Sequence, residues 1–593
     1  MTQVHTVRGL TKLWRPISSG SDTSARPGSS QLARGYEPLT TRVLEARGLL
    51  NEESEKFLAP RLAHLHDPSL LPDMDRAAER ILHAAASQQP IAIYGDYDVD
   101  GVTASAIIAR TLTAIHPETR VITYIPHRID EGYGLNADAI RSLAEAGAAV
   151  IVTVDCGITA TGPAMLARDL GIDLIITDHH NGAENEADLP PAYAIVHPRR
   201  PRSAYPFADL CGAGVAYKLA WRLCTMHAAS PRLPQHLRDL LVELLALAAL
   251  GAIADVVPLL GENRVIVRSG LPRIRSSPFI GLRALVKASG LDGDRIDTDA
   301  VGFSLAPRLN ACGRLGHARE ALELMLTDDP LRAAEIARDL TRLNDNRRTV
   351  EKQIAEQALE LAAESGMLHA DTRAIVLAHP EWHTGVIGIV CSRLVERTGR
   401  PTILLQHQGQ MLAGSGRSID GYSLHAALSE CSPYLHTFGG HDMAAGLKLT
   451  PDKLDAFRDA FTSHASRLLN PEDLIPRVQF DCDASIRDLT PLAIRQLELL
   501  APFGRENPPV RVRLSGLRVS ARPEPFGKAG AHIKLTLREG ERSLRVIGWN
   551  WASRHPQTAA SIPVGTRIDA LVIPKLSTWS GLVEPELVDL QPG

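Results

Sequence analysis

The chain has 593 residues, of which 44% are hydrophobic and 22% charged, so a disordered polymer is excluded and roughly three or four domains are expected. Its net charge of −4 provides no global positive field, and any site for a polyanion must be a local patch. Seven scattered cysteines without a CxxC pair argue against a disulfide framework or a zinc ribbon. The longest apolar run, Leu244 to Ala254, is too short to span a bilayer, so a cytoplasmic protein without membrane contact is expected.

Residues 1–75 read as an N-terminal arm and packing segment. Met1 to Pro16 carries Arg8, Lys12 and Arg15 without the apolar core of a secretory signal, and residues 17–36, rich in Ser, Gly and Arg, read as a mobile arm. Within 76–329, the apolar runs Pro90 to Tyr94, Val121 to Ile125, Ala149 to Val154, Leu174 to Thr177 and Tyr193 to Val196 predict buried strands. Residues 103–116, 136–147 and 161–170 have helical apolar spacing, so the alternation predicts a parallel sheet covered on both faces. A mostly helical region follows from 207 to 345. The charged, Gly-poor stretch 330–366, with Arg347, Arg348, Glu351 and Lys352, predicts an exposed linker helix. Residues 367–470 read as a second α/β domain, with apolar runs Ala374 to Leu377 and Thr402 to Leu405. Beyond it, 471–593 turns β-rich: Val510 to Val519, His532 to Leu537, Leu544 to Trp549 and Arg567 to Val572 predict a small barrel. The fold class is α/β, two such domains joined by a long helix and followed by a β-barrel.

The most informative stretch is Ile91 to Gly101, IAIYGDYDVDG, where an apolar strand runs into Asp96, Asp98 and Asp100. In extended chain, alternate residues share a face, so the three carboxylates could converge. A polar loop with Asp100 capping a helix that starts near Thr103 would account for one of them, but less readily for three. Clustered carboxylates raise one another's pKa unless cations neutralise them. Two further strands end alike, VIVTVDCG at Asp155 and DLIITDHH at Asp178, His179 and His180. In an open parallel sheet, the carboxyl ends of the strands line one crevice, so these groups meet on one edge. Asp255, in GAIADVVPL, interrupts an apolar stretch, where an ion pair, a cap or a metal would each explain it. Carboxylates with one or two imidazoles favour Mn²⁺ or Mg²⁺ over zinc, and so many ligands suit two ions and phosphoester hydrolysis.

GDYDVDG, VDCG, TDHH and ADVVPL, in this order, resemble the successive motifs of the DHH phosphoesterases. The resemblance implies that Asp98, Asp100, Asp155, His179 and Asp255 hold metal, with Asp155 as bridge and Asp96 as a further ligand or support. It implies that His180 faces the scissile phosphate. PRLNACGRLG (Pro307 to Gly316), WHTGVIGIVCSR (Trp382 to Arg393), GSGRS (Gly414 to Ser418) and GGHDMAAG (from Gly439) narrow the resemblance to the RecJ family. On that likeness Arg314 contacts a phosphate near the metals and Asn310 shapes its loop. Ser415, Arg417 and Arg128 grip the 5′-end phosphate, and His441 sits near the nucleotide. His197, Gly416 and Tyr94 depart from the family pattern, Tyr94 standing where some relatives carry a metal-binding His.

Between Ala501 and Asn550 stand ten Lys or Arg and four Glu, a local charge of +6, with Phe503, Phe526, Trp549 and Trp551 adding aromatic surface. Basic strands with aromatics match the way oligonucleotide-binding barrels hold single strands, although each ring alone is more readily core. The resemblance implies 5′→3′ hydrolysis of single-stranded DNA to 5′-mononucleotides in repair and recombination. It further implies a passage between the α/β domains too narrow for duplex, a monomer, and single-strand-binding protein and an unwinding helicase as partners. Two alternatives remain: a nano-RNase or oligonucleotide phosphodiesterase, which would normally lack the barrel, and a non-catalytic single-strand-binding scaffold, which would have lost metal ligands.

Overall fold

The computed structural model describes residues 6–17, 35–51, 54–128, 130–230, 232–293, 295–555, 562–577 and 579–592, so the arm expected at 17–36 lies almost wholly outside the described residues. The chain forms two compact units, Ala59–Thr349 with Pro502–Pro508, and Met1–Leu58 with Val350–Ala501 and Pro509–Gly593.

The first unit is built on a five-stranded parallel sheet in the order Val121–Tyr124, Ile91–Gly95, Val150–Val154, Asp173–Thr177, Ala194–Val196. Side chains alternate across such a sheet, so each apolar run feeds two cores. Ile91, Ile93, Val150, Val152 and Ile175 join one cluster. Ala92, Tyr94, Ile151, Leu174 and Ile176 join the other. The helix after the first strand is Val99–Ile115, starting four residues before the expected position because Asp98 accepts hydrogen bonds from the backbone N–H groups of Asp100 and Gly101. The aspartates therefore do not alternate along extended chain: Asp100 belongs to the first helical turn.

Helices Gly212–His227 and Gln235–Ala254 pack beside it, and Gly261–Ser276 packs on the second of them. Within this bundle Lys218 and Glu262, fully buried, form an ion pair, and Glu262 also accepts from Tyr205 Oη and the His66 N–H. The helix Pro330–Glu364 is less exposed than its charge suggested. Ala333, Ile336, Ala337 and Leu340 form a buried stripe at helical spacing, and Ile354, Ala358 and Ala362 form another. Glu351, expected in solvent, is 1% exposed and ion-paired with Arg393.

In the second unit, a five-stranded sheet runs in the order Thr437–Gly440, Ala444–Leu449, Met411–Arg417, Thr402–Gln408, Ile375–His379, with only the last pair parallel. The barrel closes through Val512–Val519, Arg567–Ile573, Glu586–Pro592, Arg542–Gly548 and His532–Glu539, the last pairing back on the first. Sequence reading missed Glu586–Pro592, whose acidic residues and terminal Pro disguise a strand. It also missed a three-stranded sheet in which Leu13–Pro16 pairs antiparallel with Val7–Arg8 and parallel with Arg477–Phe480. Asp589, wholly buried, fastens this segment: it accepts from the Lys12 N–H at 3.0 Å, the Thr11 hydroxyl at 3.0 Å and Trp14 Nε1 at 2.8 Å.

Candidate metal centre and nucleic-acid interface

The strand ends of the parallel sheet bring Asp96, Asp98, Asp100, Asp155, His179 and His180 together, and the end of the helix Gln235–Ala254 adds Asp255. Three groups could each enclose an ion, with ligand atoms within 4.8 Å of one another: Asp155 with His179 and His180; Asp100 with His179 and Asp255; Asp96 with Asp98 and Asp155. Asp155 belongs to two of them, which suits a bridging position. His179 Nε2 lies 3.1 Å from Asp155 Oδ1, 3.6 Å from Asp255 Oδ2 and 3.8 Å from Asp100 Oδ2.

The local backbone is shaped for this crowding. Asp155 has φ +63°, a conformation most side chains avoid, and Val256, directly after Asp255, has φ +57° although it is β-branched. Asp100 is fixed by the N-terminus of the Gly212–His227 helix, accepting from the N–H of Gly212 at 2.6 Å and of Ala213 at 2.9 Å. Gly212 and Gly251 make the approach possible. A Cβ on Gly212 would lie 2.6 Å from Asp155 Oδ1, and one on Gly251 2.4 Å from Asp100 Oδ1. Asp255 caps the C-terminus of Gln235–Ala254, where the helix dipole disfavours an anion.

These carboxylates are costly as they stand. Burial and the charge of Asp98 push Asp100 up to about 6, and burial with Asp100 and Asp98 pushes Asp255 up to about 8. Asp96 and Asp155 are raised by burial and by their acidic neighbours. Burial lowers His179 to about 3, leaving a neutral ring able to donate a lone pair. Burial opposes a charged His180 too, but its hydrogen bond to Asp178 at 2.8 Å and that residue's charge outweigh it, raising His180 to about 9. Asp178 is itself held by the N–H groups of Ile158 and His179. Asp96 Oδ1, Asp155 Oδ1 and His179 Nε2 are buried without a hydrogen-bond partner. Such orphaned atoms are rare unless something absent satisfies them, and hard divalent cations fit this donor set.

Around the cluster, Arg128 lies over the Tyr97 ring at 4.7 Å, and the charges of Arg128 and Arg314 both reach the Tyr97 hydroxyl. Asn310 and Arg314 share the helix Ala306–Leu315. Tyr94 does not join the aspartates: its hydroxyl donates to the Gly134 carbonyl at 2.8 Å and accepts from Asn136. His197 props the His180 backbone carbonyl from 2.8 Å. The role of Asp178, which the sequence places on this edge, and two further contributors escaped sequence reading. Asp178 orients His180, and Tyr133 places its hydroxyl 3.1 Å from His180 Nδ1. Arg505, in the Pro502–Pro508 segment that packs on this unit, donates to the Val256 carbonyl and bears on Asp255. Only the glycines flanking Tyr133, Gly132 and Gly134, hinted at the second; the third is a contact across 249 residues.

In the second unit, Ser415 and Arg417 alternate on one strand and converge on Gly388, where a Cβ would lie 3.1 Å from Ser415 Oγ and 3.4 Å from Arg417 Nη2. His441 is in the hairpin turn beside the Arg417 end of that strand, its N–H donating to the carbonyl of Ala444, the residue paired with Arg417. On the barrel, Phe526, His532 and Trp549 form an aromatic cluster with centroids 4.9–5.7 Å apart, and Lys534 lies over Phe526 at 5.0 Å. Trp551, counted as aromatic surface, is buried, and Phe503 lies in the segment that packs on the first unit.

The fold and the site define a phosphoesterase of the DHH type. Family models match at residues 90–251 (DHH family, N-terminal domain), 371–466 (DHHA1 domain) and 480–588 (RecJ OB domain). The chain belongs to the RecJ family. It is 39% identical to the single-stranded-DNA-specific exonuclease RecJ of Bacillus subtilis over 93% of this chain and 67% of that protein. It is 37% identical to that of Dickeya dadantii over 87% and 88%. Among solved structures, RecJ of Thermus thermophilus in complex with Mn²⁺ superposes with a TM-score of 0.78 at 32% identity, covering 95% of this chain and 78% of that one. A complex of the Thermus thermophilus protein with Mg²⁺ is similar too.

Proposed function

We propose that the protein is a metal-dependent exonuclease that hydrolyses single-stranded DNA from its 5′ end to 5′-mononucleotides. The observation that carries this reading is the set of orphaned ligand atoms of Asp96, Asp155 and His179 on one sheet edge, in a chain of the RecJ family. Asp98, Asp100, Asp155, His179 and Asp255 would hold two ions, Mn²⁺ or Mg²⁺, with Asp96 in support. Bound there, divalent ions would activate a water and neutralise charge on the phosphate. His180, oriented by its hydrogen bond to Asp178, faces the scissile phosphate, and Arg314 adds positive charge beside it. Asn310 shapes the helix end that presents Arg314. Ser415, Arg417 and Arg128 take the 5′-terminal phosphate, His441 lies near the nucleotide, and the aromatic, basic barrel face takes the strand.

Work in DNA repair and recombination follows, on strands exposed by an unwinding helicase and coated by single-strand-binding protein. The protein acts there as a cytoplasmic monomer; among the described residues no helix is long and apolar enough to cross a membrane. The test is incubation of the protein and its Asp155→Ala variant with Mn²⁺ and oligonucleotides labelled at either end, with duplex, RNA and dinucleotide controls. Mononucleotide release from the 5′ label, absent in the variant, supports the reading. Turnover confined to dinucleotides favours an oligonucleotide phosphodiesterase, and binding without cleavage a scaffold.

A further inference from the structure

The helix that carries Asn310 and Arg314 is irregular at its other end. Thr298–Ala300 and Ala306–Leu315 are joined by a π-helical turn, Val301–Leu305, the rare wide turn that recurs at functional sites. Phe303 on that turn is 83% exposed, while Val301 and Leu305 beside it are buried. The turn is therefore packed in place, and the ring is held in water by a rigid support.

Phe303 also lies on the helix face that continues to the metal centre. Ser304, Pro307, Asn310 and Arg314 remain partly accessible, whereas Leu309, Ala311, Cys312 and Gly313 are buried. The far end abuts the aspartate loop, since a Cβ on Gly313 would lie 3.0 Å from the Tyr97 carbonyl oxygen. Eleven residues at a rise of about 1.5 Å separate Phe303 from Arg314 by roughly 16 Å. Stacked nucleotides rise about 3.4 Å each, so that span is about five stacked nucleotides and fewer extended ones. Cations flank the path. Arg308 donates to the Ser304 carbonyl at 2.7 Å and to Thr341 Oγ1 at 3.2 Å, Asp345 and Arg348 both bear on its charge, and Arg342 is 80% exposed while ion-paired with Asp339 at 3.1 Å. An exposed ring among arginines, continuous with a phosphoester-cleaving centre, is the pattern that holds single strands by stacking and charge.

We propose that Phe303 is a stacking post for a base of the strand beyond the scissile bond, with Arg308, Arg342 and Arg348 drawing the phosphates along this helix. The proposal rests on the exonuclease reading above and adds to it a subsite that grips the uncleaved part of the strand. Its exposure makes Phe303 replaceable without disturbing the core.

The experiment compares Phe303→Ala, Phe303→Leu and Phe303→Trp with the unaltered protein on a single strand longer than this reach, measuring kcat and KM separately. Loss of one base stack predicts a KM about tenfold higher in the Ala and Leu variants, with kcat little changed and KM restored by Trp. Ala behaving as the unaltered protein, or Leu restoring binding as well as Trp, overturns the post. If the unaltered protein cleaves no single strand, the exonuclease reading falls and the post with it. Cleavage by the unaltered protein with indifferent variants sinks the post alone.

Discussion

Asp155 Oδ1 lies 3.1 Å from His179 Nε2, yet neither atom has a well-aligned hydrogen-bond partner. Each is buried, Asp155 on a left-handed backbone and His179 neutral, so the pair spends conformational and desolvation energy without satisfying itself. Asp155→Asn, which keeps the shape and removes the charge, is expected to lower Mn²⁺-dependent cleavage by at least about a hundredfold. The same variant should lose the rise in melting temperature that Mn²⁺ gives the unaltered protein. Full activity in Asp155→Asn would remove this residue from the centre.

The repulsion among the aspartates makes a prediction about the metal-free protein. A carboxyl whose folded pKa exceeds its ordinary 3.8 binds more protons folded than unfolded, so it lowers stability as pH rises from that value to the folded one. With Asp100 raised to about 6 and Asp255 to about 8, these groups should make the protein in EDTA less stable at pH 8 than near pH 5. Asp255→Asn should then melt about 2–4 °C higher than the unaltered protein in EDTA at pH 8, and gain less from Mn²⁺. A variant less stable than the unaltered protein under these conditions would contradict the charge argument.

Lys218 and Glu262 are expected to be worth most as a pair. Lys218→Met leaves Glu262 charged in the core and should cost about 3–5 kcal/mol in urea unfolding, whereas adding Glu262→Leu should recover much of the loss. Equal destabilisation by the single and double variants would show that the pair contributes packing alone.

Trp549, half exposed beside Phe526 and His532, is the accessible ring of the barrel cluster. Trp549→Ala should weaken single-strand binding by about 1–3 kcal/mol, with a steep salt dependence retained because the basic residues remain. Fluorescence anisotropy with a labelled oligonucleotide at several salt concentrations reads both. Unchanged affinity would move the strand to another face of the barrel.

How far the sequence led depended on whether a signal was local. The five strands of the parallel sheet lie where their apolar runs stand, because burial leaves the inner strands almost wholly apolar. The aspartates were visible as residues, but not their geometry: Asp98 caps a helix that swallows Asp100, a choice made by two hydrogen bonds rather than by apolar period. The burial of Glu351 depends on Arg393, 42 positions away, and the place of Arg505 on Val256. Such distant pairings leave no local pattern, which is why the Glu586–Pro592 strand and the Pro502–Pro508 excursion were also missed.

The clasp of Asp589 on Trp14 sets an order of events during synthesis. The two residues are 575 positions apart, and at about 5–20 residues per second the ribosome needs roughly half a minute to two minutes to travel between them. The Leu13–Pro16 strand lacks its parallel neighbour until Arg477–Phe480 is made, and the indole of Trp14 lacks its carboxylate until Asp589 follows. Ala59–Thr349 emerges within the same interval and can assemble its sheet early. Trp14 and its strand thus wait, on the growing chain, for partners made several hundred residues later.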